Sequence, residues 1–207
     1  RYFDENPAST CYSLSPSDSA GWCTCPDCEK LYETDPEGRL SVTPAVLHFY
    51  NEVAKIVAEK YPEKVLAGYV YAQYVYPPTE PIQLQPNVFP VWAPSMDYGY
   101  TLFRPELQET WERLARQWTQ VTEKMAYYDL PTSLANGIGA PSPPGVEILQ
   151  FLYPRLKQYN MKGVYVYGQE AWGTGAPTNY LLAKLAWDPD ADVQALLDEF
   201  MQRAYHE

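Results

Sequence analysis

The sequence predicts an α/β fold: the C-terminal portion of a (β/α)8 TIM-type barrel, with parallel strands alternating with helices. Short apolar runs rich in Val and Tyr alternate with longer amphipathic runs, which is typical of βα units. Long loops rich in Pro and aromatic residues follow the strands, as in barrels that build a site at the carboxyl ends of their strands. An open nucleotide-binding sheet is disfavoured because no βα turn carries a glycine-rich phosphate-binding sequence.

Five short apolar runs are predicted to be strands because they are rich in β-branched and aromatic residues and end at turn or proline signals. In chain order they are residues 10–14, 65–74, 87–92, 125–128 and 163–167. A complete barrel has eight strands. We therefore expect residues 1–207 to be a single segment of one barrel domain whose first strands come from the rest of the polypeptide or from other subunits.

Amphipathic periodicity predicts helices between these strands and after the last of them. Their expected ranges are 43–61, 105–122, 146–159, 180–185 and 191–204. Thr43 and Pro44 are expected to begin the first helix as its N-cap and first residue, and Asp188 with Pro189 to cap the last one. The apolar stripe of the first helix is expected to be Val46, Phe49, Tyr50, Val53, Ile56 and Val57.

Composition excludes several classes of function. A net charge of −11 without any run of Lys or Arg argues against nucleic-acid binding, which requires cations that neutralise phosphates. No stretch has the ~20 consecutive apolar residues of a membrane-spanning helix. His48 lies in a predicted helix and His206 in the terminal tail, so a nucleophilic triad or a catalytic transition-metal site is disfavoured.

Carboxylates follow three of the predicted strands, at the end where a barrel places catalytic groups. They are Asp18, Asp129 and Glu170, and Glu170 is the strongest candidate because Trp172 lies beside it. Glycoside hydrolysis uses two such acids, one to protonate the leaving oxygen and one to act on water or on the sugar, and it requires no cofactor. A single acid at a strand end can instead cap a helix or organise a loop.

Aromatic residues cluster at the same strand ends, where planar rings could pack against the apolar C–H faces of sugars. The candidates for substrate binding are Tyr74, Tyr76, Trp92, Tyr98, Tyr128 and Trp172. Rings such as Tyr74 and Trp92 could equally fill the interior layers of the barrel.

Four cysteines lie within eighteen residues, and the last three follow a C-x-C-x2-C spacing. Cys23, Cys25 and Cys28 could chelate a structural zinc ion, with Cys11 at a strand end as the fourth ligand. Disulfide bonds are an equal alternative in a secreted protein.

Several of these motifs resemble one known family. They are the segment from Ser15 to Asp18, the cysteine trio, the sequence Gly168-Gln169-Glu170, and the run from Tyr180 that ends in Trp187-Asp188-Pro189. Over nearly its whole length the chain resembles the bacterial family catalogued as domain of unknown function 4838. Members of that family occur in larger, often secreted proteins, and the family is similar to glycoside hydrolase barrels and distantly to the inverting α-glucuronidases. The resemblance implies a secreted or cell-surface location.

By the α-glucuronidase analogy, Asp129 and Glu170 would activate the attacking water and Asp18 would be the acid. The family pattern has Glu at the acid position, so Asp18 departs from it. Our first hypothesis is a glycoside-hydrolase-like protein that acts on a glycan, such as one containing uronic acid. The alternative is a non-catalytic barrel that binds carbohydrate or protein within a surface assembly.

Overall fold

The computed structural model describes residues 1–17, 21–94, 102–129, 145–166 and 172–206, except for the side chains of Trp172 and Thr174. Its main sheet has five strands: β1 (Cys11–Ser13), β4 (Val65–Val70), β5 (Val88–Trp92), β6 (Met125–Asp129) and β7 (Met161–Val166), in that spatial order. The sheet is parallel, and α-helices connect its strands except between β4 and β5, where the described residues form only a 3₁₀ turn. This confirms the predicted α/β class and is consistent with part of a (β/α) barrel. A separate antiparallel pair joins β2 (Glu33–Thr34) to β3 (Leu40–Ser41).

The longer helices in the described residues are α3 (Thr43–Lys60), α4 (Pro105–Trp118), α5 (Val146–Gln158), α6 (Trp172–Trp187) and α7 (Val193–Tyr205). Two single-turn helices, α1 (Tyr2–Glu5) and α2 (Pro26–Glu29), lie nearer the amino terminus. No helix in the described ranges is long and apolar enough to cross a membrane. By contact density the chain divides into a first unit, Arg1–Ala93 with Gln117–Ala126, and a second unit, Pro94–Arg116 with Tyr127–Glu207.

In the first unit, parallel ladders join β1 to β4 and β4 to β5, with Cys11 opposite Val65 and Leu66 opposite Val88. Side chains on β4 and β5 alternate between buried and half-buried, as expected when a helix covers one face of a sheet. The covered face contains Leu66 and Val70, and α3 packs against it through a stripe of buried residues: Thr43, Val46, Leu47, Tyr50, Asn51 and Ala54.

This stripe corrects the one that the sequence predicted for α3. Phe49 and Ile56 were expected in it, but their side chains are 49% and 69% exposed, because the buried face is rotated toward Leu47, Asn51 and Ala54. Thr43 was expected to cap the helix. Its hydroxyl instead donates a hydrogen bond to the backbone oxygen of Tyr76 at 2.8 Å, and the N-cap position falls on Val42.

Two other predicted boundaries are wrong. The strand predicted to run to residue 74 ends at Val70, because Ala72 adopts a left-handed φ of 50° and begins a short 3₁₀ turn, Ala72–Tyr74. The cap of the last helix is Asp192 rather than Asp188, since the Asp192 carboxylate accepts a hydrogen bond from the backbone nitrogen of Ala195 at 3.0 Å.

Gly68 on β4 is required for the contact between the sheet and α3. A Cβ at this position would lie 2.4 Å from Cζ of Tyr50, a fully buried side chain whose hydroxyl donates to the backbone oxygen of Tyr69 at 2.9 Å. We expect Gly68→Ala to destabilise the protein by about 1–3 kcal/mol, because a rigid ring must move in a packed core. Denaturant unfolding measures this change.

Gly163 on β7 provides the matched control, since a Cβ there would meet no atom within 4 Å. We expect Gly163→Ala to leave the free energy of unfolding unchanged or slightly increased. Equal unfolding midpoints for the two variants would show that the contact between Gly68 and Tyr50 does not limit packing.

Candidate functional site

The candidate site lies at the carboxyl ends of β6 and β7, in the second unit. Parallel strands that neighbour one another in the sheet end at the same edge, which is where barrel proteins build their sites. Tyr128 and Asp129 are the last two residues of β6, and Tyr165 is the penultimate residue of β7. Successive side chains on a strand point to opposite faces, so Tyr128 and Asp129 belong to different faces of the sheet.

Asp129 lies on the face covered by helices. Its Oδ2 accepts a hydrogen bond from the Tyr153 hydroxyl of α5 at 3.0 Å, and only 1% of its surface is exposed. Tyr127, two residues earlier, shares this face, and its hydroxyl lies 3.3 Å from the indole nitrogen of Trp111 on α4. Both side chains therefore join the end of β6 to the helical layer.

Burial raises the pKa of Asp129 to about 7, and the hydrogen bond from Tyr153 opposes part of this increase. A carboxyl group with such a pKa carries its proton in weakly acidic solution and can exchange it near neutral pH. Asp129 could therefore act as an acid or a base. Its position between β6 and α5, however, is that of a residue that holds the end of the strand in place.

The opposite face at the end of β6 and β7 carries a pair of aromatic rings, Tyr128 and Tyr165, which we call the tyrosine platform. Their centroids are 4.9 Å apart and their planes are inclined by 51°. Tyr128 is half-buried and Tyr165 is 56% exposed. Gly163 shares the face of Tyr165, and the space around its missing Cβ is open. The platform is therefore bordered by an open stretch of β7.

Sequence reasoning found Tyr128 but missed Tyr165. The signal was available, because Tyr165 lies in a short strand whose alternation puts every second residue on one face. Three other predicted substrate-binding rings, Tyr74, Tyr76 and Trp92, are buried in the first unit. The Trp92 indole donates to the backbone oxygen of Val75 at 3.1 Å, so it has a structural partner within the core.

Glu170, Asp18 and Tyr98 lie outside the described residues, as does the side chain of Trp172. The joint role of Asp129 and a second acid stays a prediction.

The cysteine trio forms a separate cluster in the first unit. The sulfur atoms of Cys23, Cys25 and Cys28 all lie within 4.8 Å of one another, so this group could hold a metal ion. Cys11 was expected to be a fourth ligand but does not belong to this group; its thiol contacts the backbone oxygen of Tyr12 at 3.9 Å. All four thiols are free of disulfide bonds.

Comparison with known proteins identifies the family of the chain. No curated protein and no solved structure matches it. The family model described as "Domain of unknown function (DUF4838)" matches residues 1–207, the full length of the sequence. The chain therefore belongs to this family of domains of unknown function.

Proposed function

We propose that the chain binds a glycan at the tyrosine platform, as part of a carbohydrate-active barrel. The single observation that carries this proposal is the ring pair of Tyr128 and Tyr165, on neighbouring parallel strands, at the sheet edge where barrels build their sites. Aromatic rings at such positions offer apolar surface that matches the C–H faces of a sugar ring, and their hydroxyl groups can hydrogen-bond to its edge.

The exposure of Tyr165 favours ligand binding over a purely internal role. More than half of the Tyr165 side chain is accessible. Tyr127, which lies on β6 and packs into the core, is fully buried. The inclination of 51° between the platform rings gives two adjoining apolar surfaces of different orientation. Such a surface suits an oligosaccharide better than a flat aromatic ligand, because neighbouring sugars in a chain do not share one plane.

Glycan cleavage stays a prediction within this proposal. The sequence predicts that Glu170, Asp18 and Asp129 would carry it out, and the first two lie outside the described residues. Asp129 accepts a hydrogen bond from Tyr153 and lies on the other face of the sheet from Tyr128. Both observations support a role in holding the end of β6 against α5. We therefore assign glycan contact to the platform and a structural role to Asp129.

The direct test is a binding screen of the purified chain against an array of neutral and uronic-acid-containing oligosaccharides, followed by calorimetry on the best ligands. We expect saturable binding to at least one glycan class. The same samples are analysed for released sugars, which separates binding from hydrolysis. Failure to bind any glycan on an array that covers both classes would contradict the proposal.

A further inference from the structure

The segment that carries the cysteine trio contributes little to the hydrophobic core. Residues 21–32 are all exposed or half-buried, and their only helix is the single turn α2, Pro26–Glu29. A segment that buries so little apolar surface gains little stability from packing, so short exposed loops of this kind are commonly fixed by a metal ion or by disulfide bonds.

The arrangement of the thiols favours a metal ion. Three sulfur atoms converge within 4.8 Å of one another, whereas a disulfide bond joins two and leaves the third without a function. A tetrahedral zinc ion with Zn–S bonds of about 2.3 Å holds its sulfur ligands a little under 4 Å apart, so only small side-chain movements would be needed. We propose that Cys23, Cys25 and Cys28 bind one thiophilic divalent cation such as Zn²⁺, with solvent in the fourth position.

The electrostatics of the cluster agree with this geometry. Three thiolates held within 4.8 Å of one another would repel each other strongly. A divalent cation removes this mutual repulsion because it stabilises all three thiolates, and its binding releases the protons that they carry.

The bound cation would fix one wall of a pocket of about 420 Å³ that is lined in part by Trp22, Cys23, Tyr32 and Gln73. The Tyr32 hydroxyl donates to the backbone oxygen of Cys23 at 2.8 Å, and the Trp22 indole donates to the side-chain oxygen of Gln73 at 2.5 Å. Trp22 directly precedes Cys23 in the chain, so metal binding by the trio should change the surroundings of its indole ring. The fluorescence of Trp22 therefore provides a local readout that is independent of activity.

The test uses the purified chain after reduction, titrated with Zn²⁺ against a chromophoric chelator and with Co²⁺ for its thiolate charge-transfer absorption. We expect one equivalent of metal per chain and a change in Trp22 fluorescence that is absent in Trp22→Phe. Single replacement of Cys23, Cys25 or Cys28 by Ser should weaken binding by at least about a hundredfold, since each thiolate supplies a large share of the binding free energy.

Cys11→Ser is the matched control, because Cys11 is exposed and lies outside the trio. It should retain full metal binding. Circular dichroism should show that all four variants keep their secondary structure, since residues 21–32 contribute only one helical turn. The proposal is overturned if the reduced chain takes up no metal. It is also overturned if Cys11→Ser weakens metal binding as much as the trio variants do.

Discussion

Replacement of Asp129 by Asn is expected to remove a large pH dependence from the stability of the protein. The pKa of Asp129 rises from an ordinary 3.8 to about 7 on folding, because its carboxyl group is buried beside Tyr153. Folding is therefore most favourable when this group keeps its proton, and the advantage is lost as the pH rises through about 7. Three pKa units at ~1.4 kcal/mol each correspond to about 4 kcal/mol lost between pH 4 and pH 8.

In Asp129→Asn the amide is neutral throughout this range, and its oxygen can still accept the hydrogen bond from Tyr153. We expect the variant to match the wild type near pH 4 and to exceed it in stability by a margin that grows as the pH rises to about 7 and is constant above it. Denaturant unfolding at several pH values measures the difference. Asp198→Asn, at an exposed position on α7, changes the formal charge by the same amount and serves as the control.

The same variant distinguishes the structural role of Asp129 from a catalytic one. Our account predicts that Asp129→Asn retains glycan binding and whatever glycan turnover the wild type has. Parallel stability curves for the variant and the wild type would contradict the buried-acid assignment. Loss of turnover by a folded variant that still binds glycan would instead make Asp129 a catalytic residue.

Removal of a platform ring is expected to weaken glycan binding by about ten- to a hundredfold. Tyr165→Ala and Tyr128→Ala each delete an aromatic side chain whose burial against a ligand is worth roughly 1.5–3 kcal/mol. Tyr165→Phe and Tyr128→Phe keep the ring and should lose much less affinity. Calorimetric titration with the best glycan from the screen measures all four variants.

Tyr205→Ala is the control for general loss of an exposed tyrosine, because Tyr205 on α7 is 55% exposed and Tyr165 is 56% exposed. It should bind glycan as the wild type does. If Tyr205→Ala lowers the affinity as much as Tyr165→Ala, or if neither Ala variant on the platform has any effect, the binding surface lies elsewhere.

The order of strands and helices could be predicted because hydrophobic periodicity is a local property. The strands β5 and β6 and the helices α4 and α5 begin within one or two residues of their predicted positions. Boundaries failed where tertiary contacts or backbone strain decided them. Thr43 donates its hydroxyl to a distant carbonyl instead of capping α3, and the left-handed φ of Ala72 ends β4 early.

The site could be predicted only in part, and the physical reason is the two-residue period of a strand. The carboxylates and aromatic rings at the strand ends were expected to share one site. Adjacent residues such as Tyr128 and Asp129, however, face opposite sides of the sheet. Which side α5 would cover depends on packing that no local pattern encodes. The convergence of the cysteine trio was more predictable, since its short spacing restricts where the thiols can go.

The central claim is that Tyr128 and Tyr165 contact sugar. The most direct measurement is a set of ring ¹H–¹³C NMR spectra of tyrosine-labelled protein during a glycan titration, with resonances assigned through the Tyr128→Phe and Tyr165→Phe variants. Our account predicts that the ring signals of these two residues shift together as the glycan saturates the protein, while those of Tyr205 and the buried Tyr50 stay unchanged. Saturable glycan binding that leaves both platform signals in place would contradict it.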